Sequence, residues 1–180
     1  MKPLMIQLNK FKYQNKDSVE YVIRYITRTR KNEDRAHELL WYGSYHGFLY
    51  QKPVEEIIAE FEYIQKQYRT PGSLMCHYVM HISAELYSKM NNDLDILNAY
   101  ASECCKYIFN LGHQNCFAIH YSAEDKLHIH FAINTTNYRT GYKLRQYPPE
   151  IRKNLEYPLS NLLIDYLMQF QTVTSIDDLS

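Results

Sequence analysis

Residues 116–136 read CFAIHYSAEDKLHIHFAINTT. Two runs of alternating apolar and polar side chains flank a turn-like Ser122-Ala-Glu-Asp125, the pattern of a β-hairpin with one face in a core. On the second run Leu127, Ile129 and Phe131 point one way, so His128 and His130 leave the opposite face together. A turn centred on Glu124 sets His120 across from His128 and diagonal to His130, which brings three imidazoles within reach of one ion. Three neutral nitrogen ligands with no fourth in view leave coordination positions open, as a catalytic metal requires. An H-x-H on a strand is by itself more often a plain polar face; the third histidine in register is what points to a metal. Asp125, three residues before His128, either holds the other ring nitrogen of a ligand or simply serves the turn.

Outward from this hairpin, Leu4–Leu8 reads as a short strand. Asp17 caps a helix, with Glu20 completing a capping box before SVEYVIRYITR. Tyr21 and Tyr25 share one face of that helix, Val22 and Ile26 another. The aromatic stretch LLWYGSYHGFLY (39–50), broken by Gly43 and Gly47, reads as irregular or a weak hairpin. Pro53 opens a second helix, VEEIIAEFEYIQKQY, with Glu55, Glu56, Glu60 and Glu62 on a solvated acidic face. Leu74–Ser83 alternates as a strand, placing His77, Val79 and His81 opposite Cys76, Tyr78, Met80 and Ile82. A long helix over 92–110 ends at Gly112, and helix fills roughly 149–170. This order implies an α+β domain, a central antiparallel sheet of about five strands flanked by helices, over residues 1–180 as one unit.

The chain has 180 residues, with 20 Lys and Arg against 20 Asp and Glu. Taken whole, that neutrality argues against a nucleic-acid binder, but the charges are segregated. Residues 1–35 and 126–153 each carry a net +5, whereas 36–125 carries −6 and 154–180 carries −4. Hydrophobic residues at 46% and charged residues at 22%, with only five Gly and six Pro, describe a compact domain with a core of its own. Cys76, Cys104, Cys105 and Cys116 form no C-x-x-C pair and read as reduced, buried thiols. Most of the 18 tyrosines suit the rim of a core, though some could stack on bases. No apolar run reaches membrane-helix length, and MKPLMIQLNKFK lacks the apolar region of a signal peptide, so no membrane insertion and a cytoplasmic location are expected.

HYSAEDKLHIHFAINTTNYRTGYKLR, from His120 to Arg145, resembles the metal motif of conjugative relaxases, the mobilisation nucleases of the HUH endonuclease superfamily. The pattern is a histidine eight before an H-x-H, an aspartate three before it, an apolar strand ending in Asn134, and a T-G-x-K-L turn over Thr140–Leu144. EYVIRYITR (20–28) looks like the family's nucleophile helix, and MCHYVMHIS (75–83) is similar to its middle strand. The resemblance implies a relaxase-like fold related to RRM and ferredoxin-like sheets. It also implies a metal-dependent strand transferase that nicks single-stranded DNA at an origin of transfer during plasmid or mobile-element mobilisation. A tyrosine would attack the phosphodiester to give a 5′-phosphotyrosyl intermediate. Carried over, His120, His128 and His130 would hold Mg2+ or Mn2+, with Asp125 behind them. Tyr25 would be the nucleophile, Tyr21 the alternate one turn away, and His77 and Ser83 would lie near the DNA. The two basic blocks then offer Arg24, Arg28, Arg30, Lys31, Arg139, Lys143 and Arg145 as phosphate contacts. Expected partners are single-stranded DNA and accessory relaxosome proteins, for a monomer in the bacterial cytoplasm.

Three other readings compete. A replication initiator or transposase of the same superfamily would place its nucleophile after the metal motif, at Tyr157 or Tyr166. A two-histidine phosphoesterase would use His81-Ile-Ser83 and His120-Tyr-Ser122, leaving His128 and His130 idle. A catalytically silent DNA-binding accessory module would keep the fold without need of the three histidines.

Overall fold

The hairpin forms in the expected register. In a computed structural model of the chain, which describes residues 8–12, 18–45, 49–123 and 126–177, β5 (Asn115–Ser122) pairs antiparallel with β6 (Lys126–Asn134). Phe117 faces Phe131, Ile119 faces Ile129, and His120 faces His128. Around this pair the other strands assemble in the order β1-β4-β6-β5-β2-β3, every neighbour antiparallel: β1 (Leu8–Lys12), β2 (Leu39–Tyr45), β3 (Leu49–Tyr50) and β4 (Met75–His81). Four strands of seven to nine residues make the body of the sheet, against the roughly five expected, and the shorter β1 and β3 extend its edges.

Period-two alternation gives the sheet two unlike faces. One face, with Tyr78, Met80, Phe117, Ile119, Ile129 and Phe131, is covered by α4 (Leu94–Asn110) and by the C-terminal helix. That helix runs as α5 (Pro148–Ile151), a π turn at Arg152–Glu156, and α6 (Tyr157–Asp177). Tyr100 shows how the tyrosines serve the core: its ring is buried and its hydroxyl donates to the Leu159 carbonyl at 3.0 Å. Phe131→Ala is expected to cost about 3–5 kcal/mol, because a fully buried ring would leave a cavity between two layers. Urea unfolding checks this as a lower midpoint at unchanged slope.

The other face carries α1 (Ser18–Ile26) and α2 (Val54–Tyr68). Val19, Val22, Ile23 and Ile26, spaced at i, i+3, i+4 and i+7, bury one stripe of α1. The sheet beneath presents the small side chains of Ala118 and Ala132, which let the helix approach closely. Tyr25 stands at the edge of that stripe, half-buried.

Several expectations need amendment. The stretch 39–50 is a hairpin of β2 and β3, with β2 fully paired to β5 apart from an irregularity between Leu39 and Trp41. A short helix, α3 (Ala84–Lys89), follows β4, capped by the Ser83 hydroxyl accepting from Leu86 N–H at 3.1 Å. Glu60 leaves the solvated acidic face and pairs with the buried Lys52. The capping aspartate Asp17, most of the strand expected at Leu4–Leu8, Gly47 and Asp125 lie outside the described residues. The four cysteines are free and buried. Gly112 ends α4 with φ +96°, where a Cβ would run into the Asn137 side chain. Among the described residues no helix is long and apolar enough to cross a membrane.

Candidate active site

His120 near the end of β5 and His128 and His130 at the start of β6 project from the α1 face, as alternation requires. Their ligating nitrogens lie within 4.8 Å of one another, and all three residues are buried. His128 Nε2 and His130 Nε2 are 3.1 Å apart, the spacing of two neighbouring ligands on one ion with metal–nitrogen bonds of about 2.1 Å.

The hydrogen bonds behind the rings decide which nitrogens face inward. A carbonyl only accepts, so His120 Nε2–H donates to Ile26 O at 2.6 Å and its Nδ1 is left with a lone pair. That Nδ1 is buried and has no hydrogen-bond partner. His128 Nδ1–H likewise donates to Lys126 O at 3.0 Å, freeing Nε2. His130 Nδ1 meets His77 Nε2 at 2.8 Å; with the proton on His130, its Nε2 also presents a lone pair to the common point. In that tautomer three lone pairs converge, two of them at 3.1 Å, and a cation between them would satisfy all three; with the proton on His77 instead, His130 Nε2–H donates to His128 Nε2. The donor set therefore fits a divalent ion. The bond to Ile26, next in sequence to Tyr25, also ties the tyrosine helix to the histidines.

Burial favours the neutral form of His77, His120 and His130, as ligation demands. It pushes His77 down to about 3, helped by His128, and His120 to about 3, helped by Arg28 and His128 against the Ile26 carbonyl. His130 is driven well below its ordinary value by burial and then by His120. At His77 and His120 the unfolded chain takes up its protons near pH 6.5 and the folded one only near 3, so the metal-free protein should lose stability as pH falls between those values. The slope is up to about 1.4 kcal/mol per pH unit for each histidine. Denaturation midpoints measured from pH 7 to 4 with a chelator present check this; a flat profile would contradict neutral burial.

Tyr25 packs edge-on against His130 and His77, with ring centroids 5.7 and 5.8 Å away. Arg28 and Arg30 place guanidinium carbons 5.0 and 4.6 Å from its ring centre. Tyr21, 52% exposed, lies beyond, its ring 3.9 Å from the Arg30 guanidinium carbon. Arg24 is taken up by Glu20 and Glu55, at 2.7 and 3.2 Å. Lys31 is exposed on a shallow cleft shared with Tyr21, Arg24 and Arg30. His77 is buried behind His130 and offers no surface to DNA, while Ser83 is exposed but occupied as the α3 cap. Arg139, Lys143 and Arg145 are not brought to the histidines. They follow the far end of β6, about 20 Å along the strand from His128. There Lys143 Nζ donates to Ser73 O, Thr135 Oγ1 and Thr136 Oγ1, and Arg139 to Tyr138 Oη and Asn110 O. Residues missed in the sequence include Glu38, which pairs with Arg28, and Arg35 beside it. Arg35 precedes and Glu38 ends a three-residue 3₁₀ turn, too short for any periodicity to mark them.

An open antiparallel sheet here carries three convergent imidazoles that could hold a metal ion, beneath a tyrosine-carrying helix. The family model for relaxase, MobA/VirD2-like, nuclease domain matches residues 15–165, so the chain belongs to that family. Membership assigns it a metal-dependent nuclease role at DNA in mobilisation. No curated protein matches the chain.

Proposed function

We propose that the domain nicks single-stranded DNA at an origin of transfer by attack of the Tyr25 phenol oxygen on a phosphodiester. A 5′-phosphotyrosyl bond forms as the bond from phosphorus to the 3′ oxygen breaks; the phenol loses its proton and the 3′ oxygen gains one. The observation that carries this reading is Tyr25's position against His130 and His77, with its helix tied to His120. A divalent ion held by His120, His128 and His130 would neutralise a non-bridging phosphate oxygen when bound. The chain supplies orientation: His77 fixes the ring of His130, and the Ile26 and Lys126 carbonyls fix those of His120 and His128. Arg28 and Arg30 set positive charge around the tyrosine where negative charge develops.

The rival nucleophiles are less well supported. Tyr166 lies on the opposite side of the sheet, 6.5 Å from the Tyr100 ring and packed on that core, and Tyr157 begins the same helix. A two-histidine phosphoesterase would need Ser83, whose hydroxyl serves as a helix cap.

Three imidazoles suit a transition ion better than Mg2+, which prefers oxygen ligands. Mn2+ should therefore bind one-to-one and support covalent attachment of a single-stranded oligonucleotide at lower concentration than Mg2+. His77→Ala should weaken Mn2+ binding about 10- to 100-fold. Calorimetric titration together with a denaturing-gel adduct assay tests both; no metal-dependent adduct with any single-stranded DNA would leave only a binding role.

A further inference from the structure

Beside the histidines lies a cavity of about 170 Å³, room for several waters at roughly 30 Å³ each. Tyr25 and His128 form part of its wall, Arg28, Arg35 and Glu38 another part. Arg28 is the unusual member: its side chain is only 3% exposed, and it follows α1 in the left-handed conformation, φ +53°. One of its terminal nitrogens, Nη2, donates to Glu38 Oε2. Its Nε and Nη1 are buried without a hydrogen-bond partner. A guanidinium withdrawn from water normally satisfies its full fork of donors, so two open donors beside a cavity mark a place for an acceptor.

We propose that this cavity seats one phosphodiester group of the DNA strand, with an open Arg28 N–H, on Nε or Nη1, donating to a non-bridging oxygen and Arg35 adding charge from the rim. Among the described lining residues, two guanidiniums and one carboxylate leave a net +1 for an anionic phosphodiester to meet. Glu38 keeps the fork in place before DNA arrives. The inference rests on the Tyr25 reading to the extent that the seated group lies at or beside the linkage attacked. It also separates Arg28 from Arg24 and Lys143. Arg24 already has two carboxylates and Lys143 three oxygen acceptors.

Titration of inorganic phosphate into the arginine-labelled 180-residue chain, followed by side-chain Nε–H resonances, tests the seat. The Arg28 signal, identified by its loss in Arg28→Lys, should shift and saturate, and Arg35→Gln should weaken binding about tenfold. Tyr25→Phe should leave the shift intact. In Glu38→Gln, whose Arg28 is left uncompensated, phosphate should raise the melting temperature more than in the parent. An Arg28 resonance that stays still while exposed arginines respond, or a Glu38→Gln protein indifferent to phosphate, would show a purely structural ion pair and overturn the proposal. Were Arg28→Lys not to fold, Arg35→Gln and Glu38→Gln carry the test. Phosphate binding at Arg28 with DNA attached elsewhere than Tyr25 would sink the nucleophile assignment and leave the anion seat standing.

Discussion

Tyr25→Phe is expected to abolish covalent attachment of single-stranded DNA, lowering its rate by about 10⁴-fold or more, since no other oxygen replaces the lost one. The substitution is informative because phenylalanine keeps the ring, and with it the contacts to His77, His130, Arg28 and Arg30. Folding and metal binding should be unchanged. Tyr21→Phe makes the control. That ring is half-exposed and stacks under Arg30, a contact phenylalanine preserves, so attachment should stay within a few-fold of the parent. Denaturing gels read both variants as presence or loss of a slow-migrating adduct. Attachment that persists in Tyr25→Phe would redirect attention to Tyr21, Tyr157 or Tyr166.

The second large effect is at His128. Alanine there removes one of three convergent nitrogens, and Mn2+ affinity should fall by more than the roughly 100-fold upper range of an outer-sphere change. Loss of fold is distinguishable from loss of the ion. Metal-free His128→Ala gives up the Lys126 carbonyl bond, the close approach to His130 and ring contacts with His81 and His120, so its own metal-free melting temperature is the reference for any gain. What should vanish is stabilisation by metal. At 100 times its dissociation constant, Mn2+ adds about 2.7 kcal/mol to the parent, or about 5–10 °C for a domain of this size. A His128→Ala protein still stabilised by that amount would show that the three histidines do not form the ion's site.

The hairpin and its histidines were legible because strand alternation and a turn centre together fix register: His120 does face His128. The α1 stripe and the α4 stop at Gly112 were legible for similar local reasons. β2 was not, since its burial does not alternate: Leu40 and Trp41 are both exposed while Gly43 and Ser44 are both buried. Charge counting found two basic blocks without revealing which end of β6 the second occupies. Arg139, Lys143 and Arg145 follow Asn134, so they gather at the end remote from the histidines. The pairing of Arg28 with Glu38 left no trace at all, because it joins a helix end to a short 3₁₀ turn at Ala36–Glu38 through an irregular segment.

The most direct measurement of the nicking reading is the site of DNA attachment. Protein incubated with Mn2+ and a random-sequence pool of single-stranded oligonucleotides, then digested and mapped by mass spectrometry, should carry a nucleotide 5′-phosphate on Tyr25, with no such mass when His128 is alanine. A modified Tyr21, Tyr157 or Tyr166, or an adduct that forms equally well without the histidine, would contradict it.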